Sequence, residues 1–516
     1  MNGVQILLII GLGIFVSSMA KRRGVEPGMI IVVLAAAASF IPGVPRLELE
    51  SEVILALVIP PLLYSATRGA SFAGFGANLR AIWALGVVLV AVTCGALGLL
   101  STWLLPTIGL SVAFVLGAVL APPDTITTVS HGAEIGLPRR VTSILTGESL
   151  VNDATALTLF SIAVAAVNGE HTTWRGGFAE FLRTAFVGLA IGGALGYIAL
   201  RIRKRLRNPT LETSLVLLVP FTAFLAAEEA HASGILAVVM AAFSISVNLT
   251  LDPQHQYPGA YRTRLQEEQV WRVLDFLLET FVFAYIGLQL KFVLEDLARS
   301  DEPGLVRTLI AAAVLLVAAI VLRLTGVFVL FGRWRLKERS NQRRVERDAR
   351  FRARYQRWQE RHQRRGGEPL PAPTSKETLL VGWTGMRGIL TLAAAASIPE
   401  TTASGAEFPA RDAIQAIALF VTLGTLLLQG TTIGWLARRL KFDLTAERAA
   451  EEAERERAHE IVAAAAAEPA ADLDASFEAQ RLALGVAVHE HRLTEEIARE
   501  MIEDIDLRQA AQDTAR

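Results

Sequence analysis

Apolar blocks follow one another along most of this chain, and charged residues are confined to short runs between them. A helix needs about 20 residues to cross the hydrocarbon core of a bilayer, and these blocks have about that length. Only 19% of the residues are charged, whereas a soluble chain of this size would disperse its charges more evenly. The pattern therefore predicts an all-α polytopic membrane protein. We count about thirteen spans by hydrophobic periodicity. They lie near residues 3–19, 28–43, 51–67, 81–105, 107–130, 141–167, 178–200, 210–229, 233–248, 271–294, 305–331, 377–399 and 410–437.

Basic residues concentrate in alternate connections between these spans. The basic connections are 21–23, 68–80, 139–140, 201–207, 262–272, 333–365 and 438–441. Because cytoplasmic loops carry the excess of Lys and Arg, the N-terminus is predicted outside and the C-terminus in the cytoplasm. The location indicated for a protein of this kind is the plasma membrane.

Three parts are distinguished by composition: a transmembrane domain over 1–440, a basic cytoplasmic loop within it over 333–376, and an acidic helical tail over 441–516. Segment 333–365 contains 14 Lys or Arg and 4 acidic residues, and segment 443–516 contains 19 acidic and 8 basic residues. The loop charge is explained either by topology and attraction to anionic membrane lipid, or by pairing with the tail as a regulatory or dimer-stabilising element. Leu493, Ile497, Met501 and Ile505 recur at helical spacing, which predicts an amphipathic tail helix.

Motifs of enzymes and of nucleic-acid-binding proteins are not found. The sequence shows no Cys/His metal spacing, no phosphate-binding glycine loop and no nucleophile elbow. The single cysteine, Cys94, lies in the fourth span, so no disulfide framework is predicted. We expect neither an enzyme nor a cofactor.

Ionisable residues occur away from the ends of only a few spans. A charge at bilayer depth costs about 2.5–3.5 kcal/mol on insertion scales, and it commonly marks a path for ions or protons. The residues concerned are Asp124 in the fifth span, Glu148 and Asp153 with Asn152 in the sixth, Asp275 and Glu279 in the tenth, and Arg387 in the twelfth.

The fifth and twelfth spans are predicted to be broken helices. Pro122 and Pro123 remove backbone donors inside the fifth span, and Gly382, Gly385 and Gly388 weaken the twelfth. The two spans are an odd number apart and so run in opposite directions. This arrangement predicts inverted-topology repeats whose two crossed broken helices form a central site.

The sixth span carries a polar stripe. Ser149 and Asp153 are four residues apart, as are Glu148 and Asn152, so the four side chains occupy one side of a helix. The Asp153 carboxyl can be neutralised by a proton or by a small hard cation, for which oxygen ligands are suited. One carboxylate that holds either partner, and never both, predicts coupled exchange.

The second acid of this stripe, Glu148, needs a different partner. Arg387 is taken as the only central cation, and a buried ion pair costs less than either charge alone. We therefore predict a structural salt bridge between Glu148 and Arg387. Asp124, beside the proline break, is expected to face a half-helix N-terminus or to hydrate the cavity.

The segment GESLVNDA at 147–154 resembles the core motif of the Na⁺/H⁺ exchanger family, the electroneutral branch of the monovalent cation:proton antiporters with an Asn-Asp pair. Other segments resemble the family in the same order along the chain. They are IPPLLYSA (59–66), APPDTITT (121–128), AAEEAHASGILAVVMA (226–241), FLLETFVFAYIGLQL (276–290) and GMRGILTLAAA (385–395).

The resemblance implies that Asp153 is the essential site for Na⁺ and H⁺, with Asn152 as the Asn of the Asn-Asp pair. Oxygens of Ser149 and of the chain at Thr125 would complete the metal site. It also implies a homodimer with a dimerisation subdomain and a mobile core, electroneutral exchange by alternating access, and regulation by pH.

Two departures from the family pattern bear on this site. Many relatives have an acid where this chain has Ser65, and the first break reads Pro123-Asp124-Thr125 instead of Thr-Asp-Pro. Three alternatives to Na⁺/H⁺ exchange stay open at the level of the sequence: a K⁺/H⁺ antiporter, a passive cation channel and an ion sensor.

Overall fold

The structure, a computed structural model, is built of helices. It describes residues 3–22, 27–42, 44, 56–68, 72–124, 137–169, 174–251, 259–299, 304–363, 372–468 and 472–515. The helices are α1 (Gly3–Arg22), α2 (Pro27–Ser39), α3 (Ile59–Arg68), α4 (Phe72–Trp83), α5 (Val90–Leu104), α6 (Gly109–Leu120), α7 (Arg139–Val167), α8 (Trp174–Leu206), α9 (Pro209–Glu229), α10 (Gly234–Leu251), α11 (Ala260–Arg299), α12 (Leu305–Arg347), α13 (Ala349–Gln363), α14 (Ser375–Trp383), α15 (Ile389–Ala396), α16 (Arg411–Thr425), α17 (Thr431–Leu440), α18 (Thr445–Ala467), α19 (Leu473–His489) and α20 (Glu495–Ala515). No β-strand occurs in these ranges, so the predicted all-α fold is confirmed.

The apolar helices follow the predicted spans. Short π-helical turns, Ala84–Leu89 and Leu426–Gly430, join α4 to α5 and α16 to α17. Of the helical stretches that the structure describes, seven are long and apolar enough to cross a membrane. They are Gly74–Leu104, Arg139–Val167, Leu182–Leu206, Pro209–Glu229, Ala260–Arg299, Leu305–Arg347 and Arg411–Leu440. Shorter apolar helices overlap most of the remaining predicted spans, and the count of thirteen stays a prediction.

Two predicted spans are interrupted. In the fifth, α6 ends at Leu120, and the chain continues without helical structure through Asp124, beyond which 125–136 lie outside the described residues. In the twelfth, the non-helical segment 384–388 separates α14 from α15. Proline explains the first interruption because it cannot donate a backbone hydrogen bond and clashes with the preceding turn. Glycine explains the second because it costs more backbone entropy in a helix than other residues.

Packing in the membrane part forms two main apolar clusters. One joins α5, α6, α7, α12 and α16, and it includes Leu116, Phe160 and Leu315. The other joins α3 with α8–α11, and it also includes Ala154 of α7 and residues of α2, α15 and α16. The helix with the polar stripe therefore packs against both clusters.

The tail forms a three-helix bundle. Helices α18, α19 and α20 share a core that contains Val462, Phe477 and Leu484. The predicted amphipathic pattern is confirmed, because its four apolar residues are all buried in this core: Leu493, Ile497, Met501 and Ile505. Where described tail residues form ion pairs outside the tail, their partners lie on α7 and α11 rather than on the described part of the loop 333–376.

A close approach of α5 to α6 provides a test of this packing. A Cβ built on Gly117 would overlap the backbone oxygen of Cys94, whereas one built on Gly95 meets nothing within 4 Å. Gly117→Ala should therefore destabilise the protein by about 1–3 kcal/mol through overpacking. Gly95→Ala is the matched control and should be neutral or stabilising, since alanine favours a helix over glycine by about 1 kcal/mol. Thermal unfolding of the two detergent-solubilised variants would measure the difference, and equal midpoints would contradict the packing.

Candidate ion-binding site

The two helix interruptions meet inside the membrane part. The backbone N–H of Asp124 donates to the carbonyl oxygen of Met386 over 2.6 Å, as an isolated antiparallel bridge. This contact joins the segment after α6 to the segment between α14 and α15. Backbone outside a helix is tolerated at membrane depth only where it is buried or lines a cavity. Both conditions hold here, since Met386 is buried and Asp124 lines a cavity.

Arg387 binds the main chain at this meeting point. Its Nε donates to the carbonyl oxygen of Leu120, the last residue of α6, over 3.0 Å, and its Nη1 donates to the carbonyl oxygen of Gly385. Its backbone N–H donates to Oγ1 of Thr425 over 2.9 Å. The last carbonyls of a helix have no partner inside the helix and carry partial negative charge, so a guanidinium is favourable there. Arg387 therefore caps the broken helix α6.

Asn152 connects the break to α7. Its Nδ2 donates to the carbonyl oxygen of Pro123, and its side chain is fully buried. Its Oδ1 is also buried and has no hydrogen-bond partner among the described residues. Such an atom normally finds a partner, because burying an unsatisfied polar group costs about 1–3 kcal/mol. This oxygen lies beside the break, but Asn152 does not belong to the residues that line the cavity next to Asp124.

Asp153 and Asp124 both line a cavity of about 70 Å³ at this point. The cavity also receives Glu279 of α11, and apolar side chains such as Leu63 and Ile286 form much of its wall. This volume exceeds the 10–15 Å³ or more that a single water needs. Carboxylate oxygens are the donors that hard cations prefer. A small cation with part of its water shell is thus chemically suited to the cavity.

Gly388 is adapted to the same cavity. A Cβ built on it would overlap the carboxylate of Asp124. Glycine is required here by a close approach rather than by backbone conformation, since its φ is −114°. The twelfth span thus has two roles at the cavity. Gly388 leaves room for the carboxylate of Asp124, and Arg387 caps α6.

The other predicted ligands are placed less directly. Ser149 is buried on α7, one turn before Asp153, but it does not belong to the residues that line the cavity. Thr125 lies outside the described residues. The predicted roles of both side chains stay predictions.

The predicted salt bridge between Glu148 and Arg387 is not what the structure places at this position. The guanidinium of Arg323 on α12 donates to both carboxylate oxygens of Glu148, with Nη2 to Oε2 at 2.8 Å. Its Nη2 also donates to the carbonyl oxygen of Val381. Both charged side chains are almost fully buried, and among the described residues no ion pair joins Glu148 to Arg387. The expectation was wrong because Arg387 uses its donors on main-chain carbonyls.

Arg323 could have been found in the sequence. It is the one charge in the interior of the apolar run 305–331, whose other basic residue, Arg307, lies at its beginning, and a buried charge at bilayer depth needs a partner. Glu279 was noted as an intramembrane acid but was given no role, and the structure places it in the cavity wall. Ser65, the departure from the family pattern, donates to the carboxylate of Asp275 on α11. At this place the carboxylate is therefore supplied by α11 rather than by α3.

Comparison with known proteins finds similarity to sodium/hydrogen exchangers. The sequence model of the family described as "Sodium/hydrogen exchanger, transmembrane" matches residues 5–439. An uncharacterized Na⁺/H⁺ exchanger, YjcE, of Escherichia coli strain K12 is 32% identical over 391 residues, which cover 74% of this chain and 66% of that protein. A Na⁺/H⁺ antiporter, NhaH, of Halobacillus dabanensis is 27% identical over 453 residues, which cover 85% of this chain and 97% of that protein.

Two further matches concern cation range and fold. A protein of Bacillus subtilis strain 168 named "Sodium, potassium, lithium and rubidium/H(+) antiporter" is 28% identical over 403 residues, covering 76% of this chain and 54% of that protein. The structure of the sodium proton antiporter MjNhaP1 from Methanocaldococcus jannaschii at pH 8 superposes with a TM-score of 0.61 at 16% identity. It covers 84% of this chain and 97% of the other. The latter similarity shows a shared fold.

The assignment of Arg323 to Glu148 can be tested with a double-mutant cycle. Glu148→Gln and Arg323→Met alone should each destabilise the protein by about 3–5 kcal/mol, because each leaves a buried charge without its partner. The double variant should lose much less than the sum, since no unpaired charge is left behind. Thermal unfolding of the four proteins in detergent measures the coupling. Additive losses, or a larger coupling of Glu148 to Arg387 in a parallel cycle, would show that the pairing is wrong.

Proposed function

The chain belongs to the sodium/hydrogen exchanger family, and we propose on this basis that it is a secondary transporter that exchanges Na⁺ for H⁺ across the plasma membrane. The single observation that carries the proposal is the cavity in which Asp153 and Asp124 face the junction of two broken helices. Paired helix breaks near the membrane centre are typical of ion sites in secondary transporters. Family membership supports the class of reaction, and the cavity supports the location of the ion-binding site.

We propose that Asp153 holds either H⁺ or the cation. It is the acid in the cavity that α7 contributes, and Asp124 is close enough for the two charges to interact. Oδ1 of Asn152 and the hydroxyl of Ser149 are proposed as further oxygen donors, with Thr125 at the break. A site that accepts one ligand at a time, and that changes sides only when it is loaded, couples the outward flux of one ligand to the inward flux of the other.

Arg387 and Asn152 have a positioning role in this proposal. They satisfy the carbonyls of Leu120 and Pro123, so the segment beside the cavity is held without a helix. Preorganised dipoles do not have to reorient when an ion enters. Because Asn152 is uncharged, the site has one fewer titratable carboxyl than an Asp-Asp pair would have. This difference supports electroneutral exchange of one cation for one proton.

Alternating access requires that one wall of the cavity move against the other. The cavity is lined by residues of α3 and α11 and by the break after α6, Asp153 of α7 and the beginning of α15, and in this proposal the two sets of residues form its two walls. The proposed mobile core contains α5–α7, α12 and α14–α16, which pack together in one apolar cluster and its neighbour. A homodimer, an external N-terminus and a cytoplasmic C-terminus complete the proposal.

The reaction can be tested in proteoliposomes that contain a pH-sensitive dye. An imposed Na⁺ gradient should drive proton movement, and Asp153→Asn should reduce it to the level of protein-free vesicles, because an amide cannot exchange a proton for a cation. Glu400→Gln, which removes an exposed carboxylate in the loop after α15, serves as the control and should retain wild-type exchange. Full exchange by Asp153→Asn would refute the assignment.

The cation range should be measured in the same vesicles with Na⁺, Li⁺, K⁺ and Rb⁺. The relative from Bacillus subtilis carries all four in its name, and a row of oxygen donors does not by itself discriminate by size. We expect Na⁺ to give the highest rate. A response to K⁺ alone would establish the K⁺/H⁺ alternative, and cation flux without a counter-ion would establish a channel.

The proposed stoichiometry makes a separate prediction. With one cation exchanged for one proton, no net charge crosses the membrane, so the initial rate should not change when a potential is imposed with K⁺ and valinomycin. The measurement uses Na⁺ as the transported cation. A rate that rises or falls with the potential would contradict electroneutral exchange.

A further inference from the structure

The acidic tail bundle is fixed to α11 by a buried ion pair. Asp506 of α20 is almost completely buried and accepts two hydrogen bonds from the guanidinium of Arg264, at 2.6 and 2.7 Å. Arg481 of α19 donates to the same carboxylate over 2.8 Å. One carboxylate is thus shared by an arginine of the membrane part and an arginine of the tail. Removing a partner from such a buried group leaves a desolvated charge, so the contact resists separation.

Further contacts extend this attachment along α11 and α3. Asp513, near the end of α20, accepts from Arg262 over 2.8 Å and from the hydroxyl of Tyr261. Arg499 of α20 donates to the carbonyl oxygen of Arg68, the last residue of α3, over 3.1 Å. Since the last carbonyls of a helix are unsatisfied, Arg499 caps α3 from the tail.

The other end of the bundle is attached to α7. Arg139, the first residue of α7, donates its backbone N–H to Glu447 of α18 over 2.7 Å. Its guanidinium pairs with Glu451 at 2.8 Å. The helix α18 also follows α17 after only the short segment 441–444. The beginning of the bundle is therefore connected to the helices on the Asp153 side of the cavity.

These attachments hold helices of the two groups that form the two walls in the proposed function. Leu63 of α3, Glu279 of α11 and Asp153 of α7 all line the cavity. Helices α3 and α11 pack in one apolar cluster with α8–α10, whereas α7 packs mainly with α5, α6 and α12. The contacts of α20 hold the end of α3 and the beginning of α11, while α18 holds the beginning of α7. A compact bundle with its own core thus spans the two groups of helices.

We propose that the tail bundle is a latch that holds the two walls in one relative position and slows exchange as long as it is docked. The inference rests on the proposed function, because a restraint of this kind matters only if one wall moves against the other. A movement of α7 relative to α11 has to separate one of the two sets of contacts or deform the bundle. The docked tail therefore stabilises one conformation of the transporter at the expense of the other.

The stronger attachment is the one to α11. Asp506 and Arg264 are largely removed from solvent, whereas the Arg139–Glu451 pair is partly exposed. Exposed pairs contribute little, since solvent screens them. Release of the latch should therefore depend mainly on Arg264, and a charge reversal there leaves Asp506 with Arg481 inside the bundle.

The test is Arg264→Glu in the full-length chain, reconstituted in vesicles. We expect the initial rate of Na⁺-driven proton exchange to rise about fivefold, the lower end of typical coupling between distant sites. Hydrogen exchange of α20 should become faster in the same variant, which would show that the tail has left its site. Arg508→Gln is the matched control, because Arg508 pairs with Asp504 on the surface of the tail alone and should leave the rate unchanged.

The converse variant closes the latch covalently. Arg262→Cys with Asp513→Cys places two thiols at partly exposed positions whose native side chains contact each other. The native Cys94 is buried, so the reagent should not reach it. A short reducible bifunctional reagent should then lower the exchange rate, and a reductant should restore it. An unchanged rate in Arg264→Glu with a released tail, a reduced rate in that variant, or full exchange by the cross-linked protein would each overturn the latch. Absence of exchange by the unaltered chain would instead reject the proposed function.

Discussion

The contact between two interrupted helices is the constraint on which the rest of the membrane part depends. Interrupting a helix at this depth leaves backbone groups that lipid cannot satisfy. The structure resolves this with Asp124 and Met386 bonded to each other, Arg387 on the end of α6, and Asn152 on Pro123. The side chains of Arg387 and Asn152 would otherwise be costly polar groups in an apolar interior. The unpaired backbone groups at the break therefore need these polar side chains as partners, and the buried side chains need the backbone groups.

The pairing of Glu148 with Arg323 follows from the same requirement that buried polar groups have partners. A guanidinium has five N–H donors in a fixed plane and no acceptor. Arg387 directs donors to carbonyl oxygens of α6 and of its own segment, so it is not available as a bidentate partner for a carboxylate. Arg323 provides that partner from α12 and also binds Val381 next to the second break. Arg323 thus pairs with the buried carboxylate, and Arg387 binds the backbone carbonyls at the break.

Sequence alone was sufficient for features that depend on local composition. Hydrophobic length predicted the helices, Pro122-Pro123 and the glycines around Arg387 predicted the interruptions, and the spacing of Leu493 to Ile505 predicted the tail helix. It was not sufficient for contacts between helices, because periodicity does not tell which buried faces meet. Glu148 was assigned the wrong arginine for this reason. The partners of the acidic tail, Arg264 and Arg139, were also missed. The basic loop carries more positive charge and was therefore considered as the partner, but among the described residues no ion pair joins this loop to the tail.

The departure at Ser65 illustrates how a carboxylate can be present beside a helix that does not itself supply it. The serine donates to Asp275, so a carboxylate is present beside α3 although α3 does not supply it. Asp275 lies one helical turn before Glu279, which reaches the cavity from the same helix. Asp275 itself does not belong to the residues that line the cavity, so the acid that α11 brings to the cavity of Asp153 is Glu279. A motif read along one span therefore underestimates the acids that a cavity between several spans brings together.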